Sequence, residues 1–350
     1  MQAFFLKHRM GVTATLPIGL AQIVLIDIPM IRLLITNEKK RGGEHMKTVL
    51  ITGASGFVGQ ALAQKYLDAG WQVNGLGTSL NHPMADANDH FFWTSADTSR
   101  PGDWQALVAQ SDVIVNLAGR NIFKPWTEAY KKAIYDSRIQ TTKNLVDAMP
   151  GTFYGQLINA SAAGFYGDRG DTPLTETEAS GIGFLARVCR DWEAQAKRAT
   201  SKGATVAVMR FGVVLGSGGG ALDVMARAFR MFVGGPLGSG DQWFPWIHMD
   251  DLVRGVFFLM EHNAQGIYNF TGLVPIRQKE FAKELGRALH RPAFMPAPAF
   301  FIRLFMGQLG SSFLCSQKVL PAALETAGFR FKYDTVDRAL TQIFKSGNTK

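Results

Sequence analysis

The stretch VLITGASGFVGQAL, Val49–Leu62, decides the fold. An apolar run ends at Thr52, glycines follow at positions 53, 56 and 59, and helix formers begin at once. A strand that turns through glycines into a helix builds a seat for a phosphate. Glycine permits unusual backbone angles at the turn. It also lets the main chain approach a pyrophosphate and lets helix and strand pack closely. The helix start adds unpaired N–H groups and the positive end of the dipole. Gly53, Ser55, Gly56, Phe57, Val58 and Gly59 are therefore the expected contacts to a dinucleotide pyrophosphate.

Outward from this stretch the pattern alternates. KTVLIT reads as a strand, GQALAQKYLDAG as a helix closed by Gly70, and QVNGLG as a second strand. FFWTSAD is a weaker strand. DVIVNLAG is apolar on both faces, as buried parallel strands are. A long helix (WTEAYKKAIYDSRIQTTKNLVDAM), a strand (QLINASAAG), a helix (GFLARVCRDWEAQAKRATSKG) and a strand (TVAVMRFGVVLG) complete the series. Strands alternating with helices imply an α/β fold with a doubly wound parallel sheet over residues 46–215. Beyond Leu215 come a glycine loop, a Gly- and Trp-rich loop, the helix LVRGVFFLMEHN with Asp250 or Asp251 as its expected cap, a short strand GIYNFTG and further helices. Residues 216–350 are read mainly as a smaller α+β substrate domain.

The chain has 350 residues, 47% hydrophobic and 19% charged, an ordinary globular balance. Its net charge of +9 comes without a basic stripe interleaved with aromatics, so nucleic acid is not an expected partner. The excess suits anionic small ligands. Cys189 and Cys315 match neither a disulfide framework nor a metal spacing, and no His/Cys/Asp/Glu cluster suggests a metal. Free thiols fit a reducing, cytoplasmic compartment. In residues 1–45 an apolar stretch is interrupted by Asp27 and Arg32, which disfavours a membrane span. Met46, just before the first strand, is read as the natural start, with residues 1–45 as translated upstream sequence.

Sites selective for NAD place an acidic residue at the end of the second strand. Here that strand ends GLGTSLNH, with no Asp or Glu. Thr78 and Ser79 can donate to a 2′-phosphate, so NADP(H) is the favoured cofactor. The arginine usual beside that phosphate is also missing, which leaves NAD(H) open.

The loop T-G-x-x-G-x-x-G, NLAG at 116–119 and SAAGFYG at 161–167 together resemble the extended short-chain dehydrogenase/reductases. FLARVCRDWE, RFGVVLGSGGGAL, GGPLGSGDQWFPWIHMDDL and KVLPAALETAGFRF are more closely similar to their atypical branch called the epimerase family. The likeness runs from about Met46 to Phe344. It implies a Rossmann-type domain, a family-specific C-terminal region and binding of NADP(H). It further implies that Asp97 approaches the adenine and that Leu117, Ala118 and Gly119 line the adenosine and nicotinamide ribose side. Phe211–Val214, with Val213 among them, would border the nicotinamide, and Ser161 would lie near it. Arg210, Gln242, Trp243, Trp246 and His248 would face a small-molecule substrate.

Short-chain dehydrogenases use a Tyr-x-x-x-Lys pair, in which the lysine lowers the tyrosine pKa so that the phenol can shuttle a proton. None of the seven tyrosines has a lysine four residues on. Phe184 and Val188 stand about where the pair belongs, and Ala162 stands where its hydroxyl partner belongs. Ser161 and Tyr166, helped by Arg187 or Arg190, are the remaining catalytic candidates, with Tyr166 as simple packing under the cofactor as the alternative. His248 reads as a structural hydrogen bond at a helix entrance before a proton carrier. Two functions stay open: an oxidoreductase or sugar-nucleotide-epimerase-like enzyme with non-standard acid/base groups, and a non-catalytic NADP(H)-binding sensor or interaction protein. A homodimer is compatible with both.

Overall fold

The computed structural model describes residues 46–346. The readings made for residues 1–45 lie outside the described residues. Strand β1 (Thr48–Thr52) leads through the glycine turn into α1 (Phe57–Asp68), then β2 (Gln72–Gly77), β3 (Phe91–Ser95) and β4 (Val113–Asn116). Helix α2 (Glu128–Ala148), β5 (Gln156–Ala162), α3 (Phe184–Lys197) and β6 (Thr205–Phe211) follow. The later chain gives α4 (Gly220–Arg230), α5 (Met249–Glu261), β7 (Gly266–Phe270), α6 (Gln278–Leu289), α7 (Ala299–Phe313), α8 (Ala322–Thr326) and α9 (Val336–Ser346).

The seven strands form one sheet in the order β7-β6-β5-β4-β1-β2-β3, and every neighbouring pair is parallel. The order reverses between β4 and β1, which is where a doubly wound sheet opens a crevice for a ligand. Alternation along β1 feeds two cores. Val49 and Ile51 join Leu62, Tyr66, Leu252 and Phe257 on the α1 and α5 face. Leu50 joins Ile114, Leu157, Leu145 and Ala196 on the α2 and α3 face. A third core, with Leu222, Phe229, Phe281, Leu285 and Leu340, holds α4, α6 and α9 together.

The segment after Leu215 divides between these layers. Helix α5 and strand β7 complete the large sheet and its cover, while α4, α6 and α9 share the separate core. The cap of α5 is His248, whose Nδ1 accepts from the Asp250 N–H at 3.1 Å. Asp250 and Asp251 sit inside the first turn instead. An imidazole on the preceding residue reaches the free amide first, and Asp251 turns to the amides of Lys332 and Tyr333, each at 2.8 Å. Among the described residues no helix is long and apolar enough to cross a membrane.

Close packing of α1 on the turn depends on Gly59. A Cβ there would lie 2.2 Å from the Gly53 carbonyl oxygen and 2.7 Å from the Ala54 Cα. Gly59→Ala should therefore cost about 1–3 kcal/mol, read as a lower midpoint in denaturant without ligand; an unchanged midpoint would contradict this packing.

Candidate functional site

The glycine turn is built as its sequence requires. Gly53 has φ +70°, the left-handed region that disfavours side chains. Its N–H and that of Ala54 both donate to the Leu76 carbonyl, at 2.8 and 3.2 Å, which ties the turn to β2. A Cβ on Gly53 would lie 3.1 Å from the Leu117 carbonyl carbon, so the turn also lies flat against the loop after β4. Gly56 precedes α1 in extended conformation, and no side chain caps that helix. Phe57 and Val58 are half-buried, and Gly56 is exposed. This cradle, with an uncapped helix start and backbone approach on two sides, fits a pyrophosphate.

The flanking loops are placed by neighbouring strands. Gly77 lets Trp93 close over the end of β2, since a Cβ would lie 2.6 Å from the indole and 3.0 Å from Ser55 Oγ. The Trp93 indole N–H donates to the Ser79 carbonyl at 3.1 Å. Thr78 and Ser79 are exposed there. Asp97, just past β3, accepts from Ser99 N and Oγ at 3.1 and 2.6 Å. On the other side, Thr52 Oγ1 accepts from Leu117 N and Ala118 N, each at 3.2 Å, and donates to Asn116 Oδ1 at 2.6 Å. Asn116 Nδ2 donates to Asn159 Oδ1 at 2.6 Å and Thr142 Oγ1 at 2.8 Å. Gly119 follows as exposed backbone.

One step further along the sheet, Ser161, Arg210 and Asn269 stand side by side on β5, β6 and β7. Glu193 of α3 meets them. Its carboxylate accepts from Arg210 Nε and Nη2 at 2.9 and 2.8 Å and from Ser161 Oγ at 2.6 Å. Arg210 Nη1 donates to the Tyr166 hydroxyl at 2.9 Å, which contacts Asn269 Oδ1 at 2.7 Å. Burial works against the Arg210 charge, but the bonds and charge of Glu193 outweigh it and hold the guanidinium above its ordinary pKa. Burial raises the Tyr166 phenol, opposed by the Arg210 charge and its hydrogen bond. The Cys189 thiol beneath is pushed up to about 11 by burial, with Glu193 adding to it.

This network corrects two sequence expectations. Arg210 is 2% exposed and bound bidentately inside the protein, so it faces Glu193 and not a substrate. Tyr166 is fully buried with its hydroxyl engaged, so it is not presented to a cleft as an acid. A buried cation on a strand demands a buried carboxylate, and the helix opposite supplies it. Glu193 is that partner. A signal was present: Glu193 shares its helix face with Ala186, Cys189, Trp192 and Ala196, all buried.

The Trp-rich loop is also largely committed to structure. Trp246 is buried, and Val213 pairs with it in a short parallel bridge. Trp243 donates to Asp171 Oδ1 at 2.8 Å and carries the Arg277 guanidinium over its ring at 4.0 Å. Gln242 Nε2 donates to the Leu237 carbonyl at 3.0 Å. His248 Nε2 meets Gln342 Oε1 at 2.9 Å, so both ring nitrogens serve the fold. A cleft of about 470 Å³ lies elsewhere, between the N-terminal parts of α2 and α3. Phe184, Tyr135, Lys131 and Arg187 line it, and Arg187 lies over the Tyr135 ring.

Comparison with known proteins agrees with this geometry. The model of the NAD dependent epimerase/dehydratase family matches residues 49–270, and a domain of unknown function (DUF1731) matches residues 297–343. An epimerase family protein of Staphylococcus epidermidis is 38% identical over 308 residues, covering 86% of this chain and all of the relative. A chloroplastic epimerase family protein of Arabidopsis thaliana is 38% identical over 309 residues, 86% of this chain and 88% of its own. The crystal structure of human epimerase family protein SDR39U1 with NADPH superposes with a TM-score of 0.74 at 29% identity, covering 85% of this chain and 99% of that one.

Two measurements check the site. Glu193→Gln leaves the Arg210 charge buried without its carboxylate and should cost about 3–5 kcal/mol in denaturant unfolding; replacing both residues together by leucine and methionine should recover most of that loss. Burial lowers the His248 pKa below its ordinary 6.5. The unfolded chain therefore binds the proton first, so stability holds above about pH 6.5 and falls as pH drops below it. His248→Asn, which keeps a cap, should flatten that fall; an unchanged slope would assign it to other groups.

Proposed function

The chain belongs to the NAD dependent epimerase/dehydratase family, and from that premise we propose that it is an NADP(H)-dependent oxidoreductase or sugar-nucleotide-epimerase-like enzyme of cytoplasmic type that works without a Tyr-x-x-x-Lys pair. The observation that carries the reading is the Gly53–Gly59 cradle, set between β1 and the uncapped start of α1 at the point where strand order reverses. Preference for the phosphorylated dinucleotide is supported by exposed Thr78 and Ser79 at the end of β2, where no carboxylate stands. It is supported also by the NADPH bound to the human relative. When bound, the nicotinamide supplies hydride transfer. The protein's own part is to hold the pyrophosphate on backbone N–H groups and to fix the loops at Ser79 and Leu117–Gly119 through Trp93 and Thr52. Asp97, Ser161 and Val213 border the two ends of that surface in this reading, and a small-molecule substrate enters beside them.

One observation favours a second reading, that of a cofactor-binding sensor. Ser161 and Tyr166 spend their hydroxyls on Glu193, Arg210 and Asn269. Titration with NADPH and NADH, followed by nicotinamide fluorescence, tests the first part: NADPH should bind tighter, and tighter NADH binding overturns the preference. Turnover of bound nicotinamide with a panel of carbonyl compounds and sugar nucleotides supports the enzyme. Absence of turnover, with unchanged binding in Tyr166→Phe, supports the sensor.

A further inference from the structure

Helix α2 carries a cation whose position nothing in the cofactor cradle or the Arg210 network uses. Arg138 is half-buried below the loop after β4. Its Nη1 donates to the carbonyls of Ile134 and Arg120, each at 3.1 Å. Its guanidinium lies 5.3 Å from the centroid of the Trp192 ring. Gly119 rests against the guanidinium so closely that a Cβ there would lie 2.8 Å from Cζ, 3.0 Å from Nη2 and 3.1 Å from Nε. Two carbonyls, an indole and a glycine thus fix the group in place. The ionisable side chains that act on it are Cys189 and Tyr130, neither of them a carboxylate. Among the described residues no Asp or Glu pairs with it, and Nε and Nη2 make no hydrogen bond. A fixed cation with an unused two-donor edge gains from a ligand that brings acceptors to that edge, because buried donors are costly when left unmatched.

The sheet order says which part of a ligand it meets. The pyrophosphate cradle follows β1. β2 and β3 lie to one side of it with Thr78, Ser79 and Asp97, and β4 and β5 lie to the other. Gly119 follows β4, so Arg138 belongs to the half of the surface across the cradle from Thr78, Ser79 and Asp97. Val188, on the neighbouring helix, is buried and offers no charge there. On the premise that the chain binds a nicotinamide dinucleotide, we propose that Arg138 is a cofactor-binding residue that donates through Nε and Nη2 to the sugar hydroxyls of the nicotinamide half, supplying from α2 the fixed positive charge that α3 lacks at Val188.

The test separates the halves of the ligand. Purified full-length protein and its Arg138→Gln, Arg138→Lys and Gly119→Ala variants are titrated with NADPH and, separately, with adenosine 2′,5′-bisphosphate, which lacks the nicotinamide half. Arg138→Gln should weaken NADPH about tenfold or more, the usual worth of hydrogen bonds from a charged donor, and leave adenosine 2′,5′-bisphosphate unchanged. Gly119→Ala, which displaces the guanidinium without removing it, should show the same selective loss, and Arg138→Lys should recover part of it. Equal weakening of both ligands, or of neither, overturns the proposal and makes Arg138 a helix strut. Thermal melting of each variant identifies a folding defect, in which case Gly119→Ala and Arg138→Lys decide. Wild-type protein that binds neither ligand would instead defeat the dinucleotide reading itself.

Discussion

A row of buried hydrogen bonds along the carboxyl ends of the strands is the constraint on which the site depends. Thr52, Asn116 and Asn159 occupy matched positions on β1, β4 and β5. Ser161, Arg210 and Asn269 occupy matched positions on β5, β6 and β7. The two rows meet on β5, two residues apart and so on one face. Below them on that face the sheet is apolar, with Leu50, Ile114, Leu157 and Val208. The sheet therefore changes from greasy to polar within one residue pair. Each polar group is buried and costly unless matched, and each is matched by its neighbour or by α2 and α3. That mutual satisfaction fixes strand register and holds the loops after β1 and β4 in contact.

Buried polar rows of this kind give position more than stability. An ion pair such as Arg210–Glu193 roughly repays its own desolvation and little more. What it adds is a single arrangement: the guanidinium accepts one orientation of Glu193, which accepts one rotamer of Ser161, and Tyr166 and Asn269 follow. Asn269 then donates to the Leu174 and Leu320 carbonyls, at 3.3 and 2.9 Å, so the row also secures two later segments of the chain. A cofactor surface laid over such a floor needs little further ordering when a ligand arrives.

The sequence made the sheet, its helices and the glycine turn legible because each is written in local periodicity. DVIVNLAG can be buried on both faces only as an inner strand, and three glycines between a strand and a helix have few other uses. The pairings that define the site are not local. Arg210 and Glu193 are 17 residues apart, and Tyr166 and Asn269 are 103 apart. Nothing in either segment alone says which meets which. A charged residue inside the apolar strand TVAVMRFG was the available clue, and it marked a buried ion pair where a substrate contact was expected. The Trp-rich loop misled in a similar way: large aromatics were expected to line a cleft, but Trp246 is buried in the third core with Leu222, Phe229 and Phe281.

Strand β7 comes after a long excursion, some distance along the chain from β6, yet it lies directly beside β6 in the sheet. During synthesis the ribosome delivers β6 well before its neighbour. Until Gly266–Phe270 emerges, the nascent sheet exposes an open edge along Thr205–Phe211, with the Arg210 side chain awaiting the last member of its row. Open edges of apolar strands invite pairing with other chains. The charged residue near the top of that edge is what the incomplete molecule has to guard itself while the remaining residues are made.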